Sequence, residues 1–311
     1  DTLGDKSTEI KLGKADLPTP VFALAITPNA QADLDKMVES LTRMTEEDPT
    51  LEVERNADTS ETILHGLGDI HVNLAIERIA RKFEVNLETA LPSIAYRETV
   101  GGQTSVSYKH KKQSGGRGQY GHVVLEIAPA ESGKGITFGS KVVGGNVPKD
   151  YIPAVEKGVR NAAGGGVVAG FPVVDVAVTL TDGSSHSVDS SGMAFEIAGG
   201  MGFRQGVKEA NPTLLEPVLQ LKILAPDDCA GDVMGDLNSR RARIGGMEPK
   251  GNGLTEISAV VPASMMQRYA SDLRSLTQAR GDFTAVMDHY EPVPSQDAQK
   301  VIASRQSGEE E

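Results

Sequence analysis

The fold of the central part of this chain is decided by the stretch Gln113-Ser114-Gly115-Gly116-Arg117-Gly118-Gln119-Tyr120-Gly121-His122, which follows Lys109-His110-Lys111-Lys112 and leads into Val123-Val124-Leu125-Glu126-Ile127. Four glycines in ten residues cannot nucleate a helix, and they leave the backbone open to close approach by a partner. The alternating residues that follow favour a strand. The stretch therefore predicts a β-hairpin with a flexible cationic tip, a feature suited to contact with the phosphates and sugars of RNA.

The same stretch contains the pattern G-x-G-x-x-G at Gly116–Gly121, which is typical of dinucleotide-binding proteins. That pattern requires a helix opening on its last glycine and an acidic residue about 20 positions later. Here a strand is predicted instead, and the residue at the corresponding position is Lys141. We therefore expect no dinucleotide cofactor.

Length and charge limit the function classes. A chain of 311 residues predicts two or three domains. The net charge of −12 is unevenly distributed: residues 1–93 contribute −9 (9 basic, 18 acidic), residues 94–217 contribute +1 (12 and 11), and residues 218–311 contribute −4 (10 and 14). The middle third is therefore the part that can approach a polyanion. With 4% aromatic residues, the chain is a poor candidate for a base-stacking platform, so contact with RNA should be polar.

Several site classes are not expected. The single cysteine, Cys229, excludes an internal disulfide and fits a reducing compartment. His71, His110 and His122 lack metal-ligand spacing, so no metal site is predicted. No apolar run is long enough to span a membrane, and no signal peptide opens the chain. Because the chain begins at Asp1 rather than Met, we expect it to be processed or cut from a longer protein.

Apolar periodicity predicts an α+β chain of three modules. The first, residues 18–93, has the order βαββαβ, with strands at 21–27, 51–55, 61–65 and 85–87 and two amphipathic helices between them. The same order recurs from residue 218, with a helix at 230–241 and a last strand at 283–289. This order is typical of a split, ferredoxin-like sheet with both helices on one face. Two like modules flanking a different one suggest an elongated arrangement, which ends in a short helix and an acidic tail.

The middle module is less regular. It has predicted strands at 104–109, 120–127 and 174–180 and predicted helices at 149–163 and 193–208. A small, polar loop at 181–191 follows the last strand. We expect this loop and the loop at 113–121 to share one end of the module.

Three residues of the second loop, His186, Asp189 and Ser190, invite a catalytic-triad interpretation. Three such groups within five residues cannot easily reach the required geometry, and no G-x-S-x-G pattern is present, so no catalytic residue is predicted. Asp189 is better explained as a helix cap that accepts N–H bonds at 191–192. His186 is either an idle surface histidine or a hydrogen-bonding contact residue.

A second basic group comprises Arg240, Arg241 and Arg243. These cations either close a helix, where they offset the negative end of its dipole, or bind phosphate. The pattern G-x-x-x-x-G-K-[ST] is absent, so this chain alone should not hydrolyse a nucleotide.

Taken together, these residues resemble domains III, IV and V of bacterial translation elongation factor G. The matching segments cover nearly all of residues 18–305, in family order. They are Glu47–Pro49, Gly66–His71, Tyr96–Thr99, Lys112–His122, Gly144–Val155, His186–Phe195, Gly235–Arg241 and Asp272–Thr277.

The resemblance implies a domain plan. Residues 1–17 would be the tail of a preceding β-barrel domain, 18–93 domain III, 94–217 domain IV with a ribosomal-protein-S5-like βαβ fold, 218–305 domain V, and 306–311 an acidic tail. Domains III and V would be ferredoxin-like. The GTPase domain, which would bind GTP and Mg, and the barrel would be absent from this chain.

The resemblance also implies a function. The intact protein would be a cytoplasmic, monomeric GTPase that promotes ribosomal translocation of tRNA and mRNA. Its partners would be rRNA, tRNA, mRNA, stalk-base proteins and its own N-terminal domains. The domain IV tip would enter the decoding site and contact RNA through Gln113, Ser114, Gly115, Gly116, Arg117, Gly118, Gln119, Ser184, Ser185, His186, Ser187 and Asp189. Domain V would contact rRNA through Arg240, Arg241 and Arg243.

Three positions depart from the family pattern. The family usually has Glu where this chain has Gly192, Glu-Leu where it has Asp69-Ile70, and Gly where it has Ala279. These departures keep an alternative open, a related protein that acts in ribosome recycling or ribosome protection without translocase activity.

Overall fold

A computed structural model of the chain describes residues 17–112 and 118–307. The strands in these ranges are β1 Phe22–Pro28, β2 Glu52–Arg55, β3 Thr62–Gly66, β4 Leu87–Ala90, β5 Arg97–Val100, β6 Thr104–Lys112, β7 Gln119–Pro129, β8 Ile136–Ser140, β9 Val176–Ser184, β10 Pro212–Pro226, β11 Arg243–Gly251, β12 Leu254–Pro262 and β13 Asp282–Pro292. The α-helices there are α1 Leu34–Glu47, α2 Asp69–Phe83, α3 Ile152–Gly164, α4 Gly192–Glu209, α5 Ala230–Ser239, α6 Tyr269–Thr277 and α7 Ser295–Ser307. Of the described residues, 17–93 and 219–288 form one compact unit (unit 1), and 94–218 with 289–307 form the other (unit 2).

Unit 1 contains the two βαββαβ modules that the periodicity predicts. In the first module the sheet order is β2-β3-β1-β4, and β1 pairs antiparallel with both β3 and β4. In the second module the order is β11-β12-β10-β13, which is the same arrangement of first, second, third and fourth strands. The predicted pair of ferredoxin-like modules in an α+β chain is therefore confirmed.

The two modules of unit 1 share one hydrophobic cluster, which includes Ile26, Leu64 and Ile79 from the first module and Leu221 and Tyr269 from the second. Polar contacts also join them. The Gln267 amide donates to the Pro92 carbonyl at 2.7 Å, and the Arg274 guanidinium donates to the Leu67 carbonyl at 3.0 Å.

Unit 2 is built on a four-stranded sheet of order β6-β7-β9-β8. The pairs β6–β7 and β7–β9 are antiparallel, whereas β8 and β9 are parallel and are connected through α3, which gives the predicted βαβ element. Along β7, buried residues alternate with more exposed ones, so one side of the sheet carries a core of Val123, Leu125 and Ile127 under the helices.

The two helices that cover this side approach each other through glycines. A Cβ added at Gly158 in α3 would lie 2.0 Å from the Glu196 carbonyl oxygen in α4, and one added at Gly199 would lie 2.6 Å from the Val155 carbonyl oxygen. Small residues at these positions let the two backbones come close enough for Phe195 and Phe203 to be fully buried.

Two elements of unit 2 differ from the sequence prediction. The strand predicted at 174–180 is β9, which continues to Ser184. A β-bulge opposite Val124 and Leu125 of β7 interrupts the alternation of β9, so the next buried residue after Leu180 is Gly183. The loop predicted at 181–191 is therefore shorter. The short strands β5 and β8 were not predicted, since neither has more than five residues or a long alternating pattern.

Differences in unit 1 concern element ends. The strand predicted at 85–87 is β4, which starts at Leu87 because α2 ends in a left-handed Glu84 (φ 57°) and Val85 is buried in the connection. The helix predicted at 230–241 ends at Ser239, and Arg241 adopts a left-handed conformation (φ 59°) that a helix cannot include. The C-terminal helix, predicted as short, is α7 and groups with unit 2; residues 308–311 lie outside the described residues.

Gly158→Ala tests the close helix contact. The new methyl group would overlap the Glu196 carbonyl, so we expect the free energy of unfolding to fall by about 1–3 kcal/mol despite the higher helix propensity of alanine. Urea denaturation followed by circular dichroism measures this. The matched control is Gly164→Ala in the same helix, where an added Cβ meets nothing within 4 Å. Equal stability of both variants would contradict the proposed packing role.

Candidate nucleic-acid interface

The two predicted tip loops lie at the same end of unit 2. Antiparallel pairing sets Lys112 opposite Gln119 and His122 opposite Ser184, so β6, β7 and β9 all reach this end. Residues 113–117 of the first loop, Gln113 to Arg117, lie outside the described residues; Gly118 and Gln119 are described. The structure therefore brings the described parts of both loops together.

Asp189 joins the two loops. Its carboxylate accepts the Gly118 N–H at 3.2 Å, and its carbonyl accepts the Tyr120 N–H at 2.9 Å. A Cβ added at Gly118 would lie 2.8 Å from the Asp189 carboxylate carbon, so this position has no room for a side chain while Asp189 keeps this conformation. Asp189, which is 71 residues away in sequence, thus fixes the position of Gly118 at the tip.

Ser190 holds the second loop against β7. Its hydroxyl donates to the Tyr120 carbonyl at 2.9 Å and accepts the His186 N–H at 2.8 Å. The residue is 9% exposed. Because this buried hydroxyl bonds both the Tyr120 carbonyl of β7 and the His186 N–H of the second loop, it fixes the distance between these two segments. In the sequence Ser190 is a candidate nucleophile, and no sequence pattern distinguishes this positioning role.

The hydrogen bonds of His186 determine which ring nitrogen can meet a ligand. Nδ1 accepts the backbone N–H groups of Val188 and Asp189 at 3.3 and 3.2 Å. An acceptor nitrogen carries no proton, so the neutral ring carries its proton on Nε2. The side chain is 53% exposed. His186 therefore presents an N–H donor at the tip, as a contact residue requires.

The cap of α4 is not Asp189, as predicted, but Ser191. The Ser191 hydroxyl accepts the Ala194 N–H at 3.2 Å, and Ser191 has the extended backbone of an N-cap residue. The Asp189 carboxylate is instead directed at Gly118. The prediction was wrong by two residues because Asp, Ser and Ser all favour this position.

A hydrogen-bonded row crosses the sheet beside the tip. His122 contacts the Ser107 hydroxyl through Nε2 at 2.9 Å and the Ser184 hydroxyl through Nδ1 at 3.0 Å, and Ser184 contacts the Tyr120 hydroxyl at 2.8 Å. We call these four residues the polar row. Burial lowers the pKa of His122, and the positive charge of Lys109 lowers it further, so the ring stays neutral at pH 7.

The remaining predicted contact residues of the tip are Ser185 and Ser187, both exposed in the loop between β9 and α4. The Tyr120 and His186 rings lie 6.2 Å apart, so the loop and the polar row form one surface.

The predicted arginine group in unit 1 is divided. Arg240 follows α5 and binds Asp236 through Nε at 2.7 Å, Asp272 through Nη2 at 2.7 Å and the Met265 carbonyl through Nη1 at 2.7 Å. Its side chain is only 16% exposed. Arg243, in contrast, is exposed at the start of β11. Arg243 therefore does not close α5, whereas Arg240 is the C-cap residue of α5, as the helix-closing interpretation requires, and is also held by ion pairs.

Among residues 17–112 and 118–307, no three or more His, Cys, Asp or Glu side chains form a group that could hold a metal ion. Within the same ranges, no helix is long and apolar enough to cross a membrane.

Comparison with known proteins places this fold and site in a family of translation factors. Models of elongation factor G domain III, elongation factor G domain IV and the elongation factor G C-terminus match residues 17–91, 92–211 and 213–301. The chain therefore belongs to the elongation factor G family. The tip and the polar row lie within the part matched by domain IV.

A solved structure has a similar fold. A crystal structure of a protein from Thermus thermophilus is 39% identical to this chain, with a TM-score of 0.84. The similarity covers 98% of this chain and 46% of that protein. The chain thus spans less than half the length of this relative.

Ser190→Ala tests the positioning role of the buried hydroxyl. Loss of its hydrogen bond should speed hydrogen exchange of the His186 amide by up to about tenfold, because a typical hydrogen bond contributes up to about 1.5 kcal/mol. Exchange measured by NMR gives this rate. Ser187→Ala, an exposed serine of the same loop, is the control, and equal exchange in both variants would remove the assigned role.

Arg240→Gln tests whether this arginine is structural. Because three protein groups lose a charged partner, we expect the free energy of unfolding to fall by about 1–3 kcal/mol. Arg268→Gln, at an exposed arginine of the same module, should change it by less than about 0.5 kcal/mol. Unchanged stability of Arg240→Gln together with weaker RNA binding would favour the phosphate interpretation instead.

Proposed function

We propose that this chain is the C-terminal part of a translational GTPase of the elongation factor G type. In this proposal the protein promotes movement of tRNA and mRNA through the ribosome, and the two loops of unit 2 enter the decoding site. The proposal is supported by the convergence of the two loops on Asp189 and Ser190, in the part of the chain that matches domain IV.

The chemistry of the tip suits RNA. The His186 Nε2–H and the hydroxyls of Ser185 and Ser187 can donate to phosphate and 2′-hydroxyl oxygens. These groups are small, so the tip can enter a narrow groove without clashes. Because Gly118 and the second loop are held by hydrogen bonds within the protein, less conformational entropy is lost there on binding.

The rest of the proposal concerns the longer protein. GTP and Mg would bind in an upstream GTPase domain, since this chain has no P-loop pattern. The partners would be rRNA, tRNA, mRNA and stalk-base proteins, and the protein would act as a monomer in the cytoplasm. A P-loop pattern encoded upstream of Asp1 would support this assignment, and its absence would favour a separate binding protein.

His186→Ala and Gln113→Ala test the tip in the intact protein. Each substitution removes a hydrogen-bonding side chain from the RNA contact, so translocation should slow severalfold while GTP turnover changes little. Rapid-kinetic translocation and GTP hydrolysis measured in the same preparation separate the two steps. His65→Ala in unit 1 serves as the control. Unchanged translocation in both tip variants would reject the assignment of the tip.

The second candidate is a family member that binds the ribosome without moving tRNA. It is motivated by Gly192, the first residue of α4, where the family usually has a carboxylate. An added Cβ there meets only Ala154 at 3.9 Å, so a substitution at this position is not blocked at Cβ. Normal ribosome binding by the intact protein without translocation, restored in part by Gly192→Glu, would favour this candidate over the first.

A further inference from the structure

The sheet of unit 2 has two unlike sides. Val106 and Tyr108 of β6 face α4. A Cβ added at Gly206 of α4 would lie 3.2 Å from Val106, and one added at Gly202 of α4 would lie 3.3 Å from Tyr108. Side chains alternate along a strand, so Lys109 and Lys111 project from the opposite, open side, where both are exposed. Lys112 projects from the helix side.

The open side continues the tip. Lys109 lies directly opposite His122, and Lys111 lies directly opposite Tyr120, so both lysines border the polar row. The Tyr120 ring in turn lies 6.2 Å from the ring of His186. A strand of RNA in contact with His186 therefore meets Tyr120, His122 and the two lysines next.

Charge is divided along the open side. The carboxylate of Glu126 lies farther from the tip, opposite Ser105, and accepts from Gln103 at 2.6 Å. The carboxylate of Asp182 lies at the level of Ser107, since both residues are opposite Val124, and it accepts from Asn146 at 2.9 Å. The part beside the tip therefore has two ammonium groups, three hydroxyls and a neutral imidazole, with one carboxylate at its far border. Such a surface favours a polyanion with hydroxyl groups over an apolar protein surface.

We propose that this part of the open side, comprising Lys109, Lys111 and the polar row, binds the sugar–phosphate backbone of the RNA strand that the tip engages. The two lysines contact phosphates, and the hydroxyls of the polar row contact 2′-hydroxyl groups. The inference rests on the proposed function and adds a second contact surface to it. Lys112 follows Lys111 in β6 but projects from the helix side, so it is not part of this surface.

The salt dependence of ribosome binding tests the assignment. The intact protein is titrated with ribosomes that carry mRNA and tRNA at several KCl concentrations, and log K is plotted against log [KCl]. The slope is negative, and each lost phosphate contact should reduce its magnitude by about 0.7. We therefore expect the slope of the Lys109→Gln/Lys111→Gln variant to be less steep by roughly 1.4. The Lys109→Arg/Lys111→Arg variant, which keeps both charges, should restore the slope of the unmodified protein.

The matched control is Lys134→Gln/Lys208→Gln, which removes the same charge from a turn and from the last turn of α4, both away from the tip. Its slope should equal that of the unmodified protein. Equal losses in both double variants would overturn the assignment to one side and leave only a general positive field.

Other outcomes separate this inference from the proposed function. An unchanged slope for Lys109→Gln/Lys111→Gln, with binding weakened by His186→Ala, overturns the second surface and leaves the tip intact. Absence of ribosome binding by the unmodified protein overturns both. Photo-crosslinking from a reagent attached at position 109 should recover RNA, and recovery of ribosomal protein alone would overturn the choice of partner.

Discussion

The pairing of β7 with both of its neighbours is the constraint on which the interface depends. Because β7 is antiparallel to β6 and to β9, the loop before it and the loop after β9 are forced to the same end of the sheet. The register also decides which residues reach each side, since a slip of one residue would move every side chain to the opposite side. Lys111 and Tyr120 share the open side only because they are directly opposite in this register.

The helix side of the sheet fixes that register. Val123, Leu125 and Ile127 are fully buried, and exposing them in a slipped pairing would cost about 1.5–3 kcal/mol for each side chain. The bulge in β9 then lets the strand continue to Ser184 with Gly183 facing inward, where an added Cβ would lie 2.3 Å from the His122 carbonyl oxygen. The same strand pairing therefore places the core residues on the helix side of the sheet and the interface residues on the open side.

Regular elements with strong periodicity could be predicted from the sequence, including both βαββαβ modules and the convergence of the two loops. The end of β9 could not, because a bulge changes the phase of an alternating pattern at a residue that composition does not mark. The cap of α4 could not be assigned either, since Asp189, Ser190 and Ser191 are all good capping residues and only the contact across the sheet separates their roles. The ion pairs of Arg240 could not be predicted either, because Asp236 and Asp272 become its partners only through helix geometry and folding.

The carboxylate of Asp189 explains how an acidic residue is compatible with an RNA-facing tip. Aimed at solvent, it would repel phosphates within a Debye length of roughly 8 Å at physiological ionic strength. In the structure one of its oxygens accepts the Gly118 N–H, the other lies 3.5 Å from His186 Nδ1, and the side chain is 28% exposed, so the charge faces protein groups more than solvent. The charge-assisted hydrogen bond holds Gly118, so this residue has less conformational freedom to lose when RNA binds. Asp189 therefore favours binding by fixing Gly118 against the second loop, while the Nε2–H of His186 and the donors of the open side remain available to the ligand.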